Sequence, residues 1–271
     1  MKTKKTLISI ITLCAALSDV SNPNTIPEEV KKFILAHFST LPSKKVEEIK
    51  GRKIKYVKDV MCAIEKYYNP YRNAFYNELV EILKKHELMC FHATRLYSFE
   101  KIEKEGLKTN TWNSYSDNLR CVYESIGIDE KMIDKALDAV QKEYKRKYEN
   151  YERNSQLCFF ANINSLEEEQ YNQFCENIGG ELVERSLKRG YPELYTPLKE
   201  NGRGAVIRFK LPYANIASYD QDRIAYQFVV YYAGIYFWDK EMEIEFDGNT
   251  EQNVPSEDIL EILPYDKEVN Y

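Results

Sequence analysis

An apolar run that ends in polar residues marks the first place where this chain could do chemistry. The segment MCFHATRLYSFEKIEKEGL, residues 89 to 107, places His92, Thr94 and Arg95 at the end of that run. An imidazole can bind ligands or transfer protons near neutral pH, a hydroxyl donates a hydrogen bond, and a guanidinium supports a loop or faces a phosphate. Two of them have an ordinary alternative: a satisfied structural histidine for His92 and a surface ion pair for Arg95.

Acidic side chains form a second group with regular spacing. In DKEMEIEFDG, Glu241, Glu243 and Glu245 alternate with apolar residues, so a strand would point all three to one face. A charged solvent face on an edge strand explains the same pattern. A fourth acid, Glu181, follows two glycines in NIGGELVE, where it is either a loop acid near a cleft or part of a helix-to-strand glycine turn.

Helices and strands must position these residues, and their pattern is visible in the sequence. Helical spacing is predicted for residues 28 to 39, 56 to 86 and 128 to 151, and a short helix runs from a cap at Ser98 to a stop at Gly106. Strands are predicted at residues 88 to 94 and at LCFFANI, AVIRFKLPY, YQFVVYYAGIYFW, EMEIEF and ILEILPY.

This order of elements predicts an α+β protein in two parts. Residues 1 to 86 would form a helical N-terminal region, and residues 87 to 271 would form an α+β domain that carries both groups of polar residues. Helical pattern alone supports only packing for the first part, although a regulatory partner would have room to bind there.

Composition excludes several classes of function. The formal net charge is -5 with acids and bases interspersed, so a nucleic-acid substrate would need a local basic patch. The 6 cysteines form no CxxC pair and the 3 histidines are dispersed, so no metal site is predicted.

The N-terminal segment MKTKKTLISIITLCAALSDV resembles a signal peptide, with lysines before an apolar run. The scattered cysteines suit a reducing compartment instead. We therefore expect a cytoplasmic protein, with secretion as the alternative if that segment is a signal. No other segment is long enough to cross a bilayer, so stable membrane insertion is not expected.

The histidine segment resembles the opening of the catalytic domain of poly(ADP-ribose) polymerases, and diphtheria-toxin-type ADP-ribosyltransferases carry similar segments. The residues that match at identical spacing are His92, Thr94, Arg95, Phe99, Ile102, Gly106 and Leu107. The likeness is specific in this segment and weak elsewhere. It implies an ADP-ribosyltransferase-like split β-sandwich with a helical insertion, in which two small sheets clamp NAD.

The resemblance also implies roles for individual residues in binding NAD. His92 would bind the adenosine ribose, backbone groups at Ala93 would hold the nicotinamide amide, and Thr94 and Arg95 would assist. Ala93 stands where the family has glycine, so the backbone approaches a ligand less closely. In LCFFA, Phe159 occupies the position of the family tyrosine that stacks on nicotinamide, and packing alone would explain it equally.

Two further roles follow from the resemblance. Tyr171 in SLEEEQYNQF would supply a second stacking ring, again with packing as the alternative. A late-strand glutamate would stabilise the positive charge that builds on the ribose as the nicotinamide bond breaks. Glu241 is the first choice for that acid and Glu243 the second, with Glu181 as a further loop acid.

These assignments predict an enzyme that uses NAD as a substrate. It would transfer ADP-ribose to a protein or nucleic-acid acceptor and release nicotinamide, as a bacterial toxin or phage-defence effector does. Two alternatives stay open: an NAD glycohydrolase that depletes NAD, and an inactive module of the same fold that binds a ligand or partner.

Overall fold

The chain folds into helices around one sheet. The computed structural model describes residues 17–20, 22–68, 74–146, 155–162 and 173–265. Within these residues the helices are α1 (Glu28–Ser39), α2 (Ser43–Lys50), α3 (Val57–Ile64), α4 (Phe75–Leu83), α5 (Phe99–Glu105), α6 (Trp112–Ser125), α7 (Glu130–Tyr144), α8 (Gly180–Leu187), α9 (Pro192–Glu200) and α10 (Ser218–Trp238).

The described strands form a single six-stranded sheet in the order β5-β3-β2-β4-β6, with β1 beside the start of β2. They are β1 (Leu17–Ser18), β2 (Glu87–Leu96), β3 (Leu157–Phe160), β4 (Arg203–Pro212), β5 (Asp247–Thr250) and β6 (Ile259–Pro264). β1 runs parallel to β2, and the other neighbours are antiparallel. The α+β prediction is confirmed, but one sheet is described where two were predicted.

Strand β2 is central because apolar side chains alternate onto both of its faces. It pairs with β4 along its whole length, from Glu87 opposite Pro212 to Leu96 opposite Arg203. Its other edge carries β3 and β1. The predicted strand at 88 to 94 is therefore confirmed and slightly longer.

Helices α1 to α4 pack with α10 over one face of the sheet. Apolar residues four apart on α1, namely Val30, Ile34 and Phe38, are fully buried and give that helix a single apolar stripe. Their core continues through α10 into β2, β3 and β4. Residues on both sides of the boundary predicted after residue 86 thus share one core, and the boundary itself stays a prediction.

Helices α6 to α9 form a second unit, which we call the helical unit. Its apolar core is separate from the core of the sheet, and α7 contributes residues at helical spacing such as Ile133, Leu137 and Val140. Asp129 accepts hydrogen bonds from the first turn of α7 and fixes where that helix begins. The helical prediction over 128 to 151 holds for α7, and its last residues lie outside the described part.

The prediction of a strand at YQFVVYYAGIYFW is wrong, because these residues lie in α10. The helix is buried around almost its whole circumference, so it lacks the polar face that reveals helical spacing. Its valines and aromatic residues favour strands when packing is ignored. The string GIYF at 234 to 237 consequently lies in α10, where Gly234 and Phe237 are buried and Tyr236 is exposed.

Other local differences are smaller. The single helix predicted over 56 to 86 is divided into α3 and α4, and helices α2, α6, α8 and α9 were not predicted. NIGGELVE turns into helix α8, so the glycine turn precedes a helix and no strand. No helix in the described ranges is long and apolar enough to span a membrane.

Replacing Ile34 by alanine tests whether helices α1 to α4 and the sheet unfold together. Truncating a fully buried isoleucine should lower the free energy of unfolding by about 2–5 kcal/mol. Because one core joins α1 to the sheet, far-ultraviolet circular dichroism and tyrosine fluorescence should report the same denaturant midpoint. Lys32→Ala, on the exposed side of α1, is the control; two separate transitions would contradict the shared core.

Candidate functional site

His92 lies in the middle of β2, directly opposite Phe159 of β3. This follows from the register, in which Phe91 pairs with Phe160 in antiparallel strands. The imidazole Nδ1 is 2.8 Å from the carbonyl oxygen of Cys158. Because a carbonyl only accepts, Nδ1 must carry the proton and Nε2 presents a lone pair. The site therefore offers a hydrogen-bond acceptor suited to a hydroxyl.

Burial lowers the pKa of His92 from the usual 6.5, and the hydrogen bond to Cys158 offsets this only in part. The imidazole is therefore neutral at neutral pH. A neutral ring held in one tautomer acts as a fixed acceptor, which is what binding a sugar hydroxyl requires.

The neighbours of His92 alternate between the two faces of the sheet. Thr94 shares the face of His92, whereas Ala93 and Arg95 lie on the opposite face. Ala93 is only 7% exposed and packs in a small apolar cluster with Phe91 and Phe160. The extra methyl group relative to glycine is thus used in packing.

Arg95 holds two loops through three backbone carbonyls. Its Nε donates to Asn201 at 2.8 Å, Nη2 to Gly202 at 3.0 Å and Nη1 to Cys175 at 3.3 Å. Burial lowers the pKa of this guanidinium. Of the roles predicted for Arg95, loop support is the one that its contacts serve.

Phe159 is a core residue in this structure, with 2% of its surface exposed. Its ring meets Phe209 edge-on, with centroids 6.5 Å apart, and a Cβ added to Gly248 would lie 2.7 Å from its Cζ. A tyrosine hydroxyl would be buried there, which explains why phenylalanine fits. The ring has no open face on which nicotinamide could stack. Tyr171, the second predicted stacking residue, lies outside the described residues.

The late glutamates lie in extended backbone, residues 240–246, which precedes β5 without regular strand pairing. The predicted alternation is confirmed, since Met242, Ile244 and Phe246 are buried while Glu241 and Glu243 are exposed. Asn162 donates a hydrogen bond to Glu243 at 3.0 Å.

The register separates these glutamates from His92. Gly248 is level with Phe159, and Phe159 is level with His92. Glu243 lies five residues before Gly248, which is about 16 Å of extended chain along the sheet. Odd-numbered residues here share the face of Asp247, opposite to that of His92. The structure therefore does not bring Glu241 or Glu243 together with His92.

Glu181 is the second residue of α8, whose start is anchored at the C-terminal end of β2. Gly202 is pressed against the carbonyl of Leu96, and Ile178 packs over Gly202. Glu181 forms an ion pair with Arg185 one turn along α8. Of the three predicted acids, this one lies on the element anchored at the end of β2 that follows His92.

A buried acid on α10 was missed by the sequence analysis. Asp220 is 2% exposed, and it accepts hydrogen bonds from Asn249 and pairs with Arg223 at 2.8 Å. Burial raises the pKa of Asp220. Arg223 also donates to the carbonyl of Asp247. Together these side chains cover the outer edge of β5, which protects an edge strand. The signal was an acid and an arginine three residues apart before a long apolar run.

One open groove is present on the helical unit, between α7 and α8, with a volume of about 740 Å³. None of the predicted site residues lines it; its lining is mostly charged. Among the described residues no group of three or more histidine, cysteine, aspartate or glutamate side chains could hold a metal ion.

Titration of His92 should show a pKa below 6.5, so that the ring is neutral at neutral pH. Because its folded pKa is lowered, the unfolded chain binds the proton more readily, with a pKa near 6.5. The stability that this group contributes is therefore complete above 6.5 and is lost as the pH falls toward the folded pKa. Nitrogen-15 NMR should find the proton on Nδ1, with His92→Gln identifying the signal. A ring protonated on Nε2, or a pKa above 6.5, would contradict this arrangement.

Comparison with known proteins does not assign the chain to a family. No family model, curated protein or solved structure matches it. A functional interpretation therefore rests on the residues themselves and on their geometry.

Proposed function

We propose that this chain binds NAD beside His92 and transfers its ADP-ribose to a protein or nucleic-acid acceptor, with release of nicotinamide. The observation that carries the proposal is the adjacency of three segments that are distant in sequence. The histidine segment on β2 and the LCFFA segment on β3 lie on neighbouring strands, and β5, which follows the late acidic segment, pairs with β3. An ADP-ribosyltransferase-like fold, with its two clamping sheets, is part of this proposal.

His92 has the properties that binding a ribose requires. Its Nδ1–H donates to the Cys158 carbonyl, so Nε2 carries a lone pair. That lone pair accepts a hydrogen bond from a sugar hydroxyl. Thr94, on the same face, donates from its hydroxyl to a neighbouring polar group of NAD. Backbone groups at Ala93 would hold the nicotinamide amide.

In the reaction, the bond between the nicotinamide nitrogen and C1′ of the ribose breaks, and the electron pair leaves with nicotinamide. A nucleophilic atom of the acceptor bonds to C1′ and releases its proton to the solvent. Positive charge on the ribose is stabilised by a carboxylate. Glu181 is favoured for that role because α8 is anchored near the C-terminal end of β2, whereas Glu241 and Glu243 lie far along the sheet from the level of His92.

The setting implied by this proposal is a toxin or phage-defence effector that acts in the cytoplasm. If a partner bound α1 to α4, its effect on the site would pass through the core that these helices share with β2 and α10. If water replaced the macromolecular acceptor, the same site would act as an NAD glycohydrolase. Free ADP-ribose without a labelled macromolecule would identify that reaction.

Labelled NAD tests the proposal directly. Purified protein incubated with NAD and a cell lysate should release nicotinamide and label a protein or nucleic acid. His92→Ala should weaken NAD binding about tenfold, because it removes one well-made hydrogen bond. His37→Ala, a partly buried histidine on α1, is the matched control. If wild-type protein yields neither nicotinamide nor a labelled product, the transferase and glycohydrolase proposals both fail.

A panel of acids identifies the working carboxylate. Glu181→Gln should reduce nicotinamide release by about a hundredfold or more with little change in NAD affinity, because the charge acts in the transition state. Glu193→Gln, an ion-paired glutamate on α9, is the matched control. A comparable loss in Glu241→Gln or Glu243→Gln, with Glu181→Gln active, would overturn the assignment to Glu181.

A second function, ligand binding without turnover, is favoured by two specific observations. The ring of Phe159 is packed into the core, and the late glutamates lie away from His92. Calorimetric binding of NAD that is weakened by His92→Ala, without nicotinamide release by any variant, would establish this binding module. Turnover by the wild-type protein would exclude it.

A further inference from the structure

The helical unit and the sheet have separate apolar cores. The core of α6 to α9 shares no residue with the core that joins α1–α4, α10 and the sheet, within the described ranges. Two bodies without a common apolar core depend on other contacts to fix their relative position. The contacts around Arg95 are of this kind.

One guanidinium holds both roots of the helix pair α8–α9. Cys175 lies before α8, and Asn201 and Gly202 follow α9 directly. Nε, Nη1 and Nη2 of Arg95 each donate to one of these three carbonyls. The planar fork of arginine reaches acceptors in different directions, and a lysine ammonium does not reproduce that geometry.

The loop after α9 is closely fitted to β2. Gly202 has φ +73, and a Cβ added there would lie 2.5 Å from the carbonyl oxygen of Leu96. Only glycine adopts this conformation at so short a distance. Before α8, Asn177 donates to the carbonyl of Gly180 and ties the loop to the first turn of the helix. Hydrogen bonds and short stretches of backbone therefore connect Arg95 to Glu181 without a gap.

We propose that Arg95 is a positioning residue that fixes the helical unit, and with it Glu181, relative to the strand that carries His92. This inference rests on the proposed function for its catalytic consequence. Arg95 lies three positions after His92 on the same strand. It donates to backbone carbonyls, so it need not touch NAD. Its effect on the reaction passes through Glu181.

Arg95→Lys tests the clamp without removing the positive charge. Native-state hydrogen exchange should show amides of α8 and α9 exchanging about tenfold faster than in wild type, since charge-assisted hydrogen bonds are lost. Amides of α1 and α10, in the other core, should be unchanged. Arg203→Lys is the matched control, because it lies in the same region and carries an exposed side chain. Unchanged exchange in α8 and α9 would contradict the proposal that Arg95 fixes the helical unit, whether or not the protein binds NAD.

A double-mutant cycle tests positioning against a merely structural role. Arg95→Lys should slow nicotinamide release at least tenfold with NAD affinity within twofold of wild type. In the Glu181→Gln background, Arg95→Lys should have no further effect on the rate, because both changes remove the same contribution. Additive losses would overturn the positioning role. If wild-type protein neither binds nor cleaves NAD, the proposed function fails, and the exchange experiment still decides the clamp.

Discussion

The register of β2 in the sheet is the constraint on which the arrangement depends. Ten consecutive pairs with β4 on one side and the pairing with β3 on the other leave this strand no freedom to slide. Alternation then sends His92 and Thr94 to one face and Ala93 and Arg95 to the other. A shift of one residue would exchange the two sets and bury the guanidinium in the apolar core. The apolar residues before His92 thus determine on which face of the sheet His92, Thr94 and Arg95 lie.

Both polar side chains that matter on β2 are satisfied by backbone carbonyls. His92 donates to Cys158 and stays neutral, while Arg95 donates to three carbonyls and keeps its charge. The carbonyl of Cys158 is fixed by strand β3, whereas the carbonyls of Asn201 and Gly202 belong to the loop that Arg95 holds. Burial lowers the pKa of both groups, but only the histidine lies close enough to neutrality for its charge state to change. The two side chains therefore differ in whether their charge can change near neutral pH, despite similar partners.

Local pattern was sufficient where an element has one buried side or a clear stop. The stripe of Val30, Ile34 and Phe38 predicts α1, and the alternation in β2 predicts that strand. Gly106 ends α5 with φ 72, as its position in the sequence indicated. The same pattern failed for α10, because a helix buried on nearly all sides has no polar face to reveal its period. The aromatic and β-branched residues of α10 then point to the wrong structure.

The predicted site residues also fall into two groups: those whose relation depends on local sequence and those whose relation depends on the fold. His92, Thr94 and Arg95 are close in sequence and rigidly joined by one strand, so their relation could be predicted without the fold. Phe159 lies opposite His92, but whether its ring is open or covered depends on Gly248 and Phe209, which are distant in sequence. The prediction for Glu243 depended on the register between segments far apart in the chain, and alternation alone does not set that register.

In the proposed function, the two faces of β2 connect the binding of NAD to the position of the helical unit. A ligand held by Nε2 of His92 is bound to a strand whose opposite face carries Arg95, and through it the loops on either side of α8 and α9. Every residue of the strand from His92 to Arg95 is paired with β4, so this stretch moves together with the sheet. A movement of the helical unit would therefore alter the distance from Glu181 to the bound ribose and leave the contact with His92 intact. Affinity and rate would respond separately, because one group is fixed within the sheet and the other is fixed to it by hydrogen bonds.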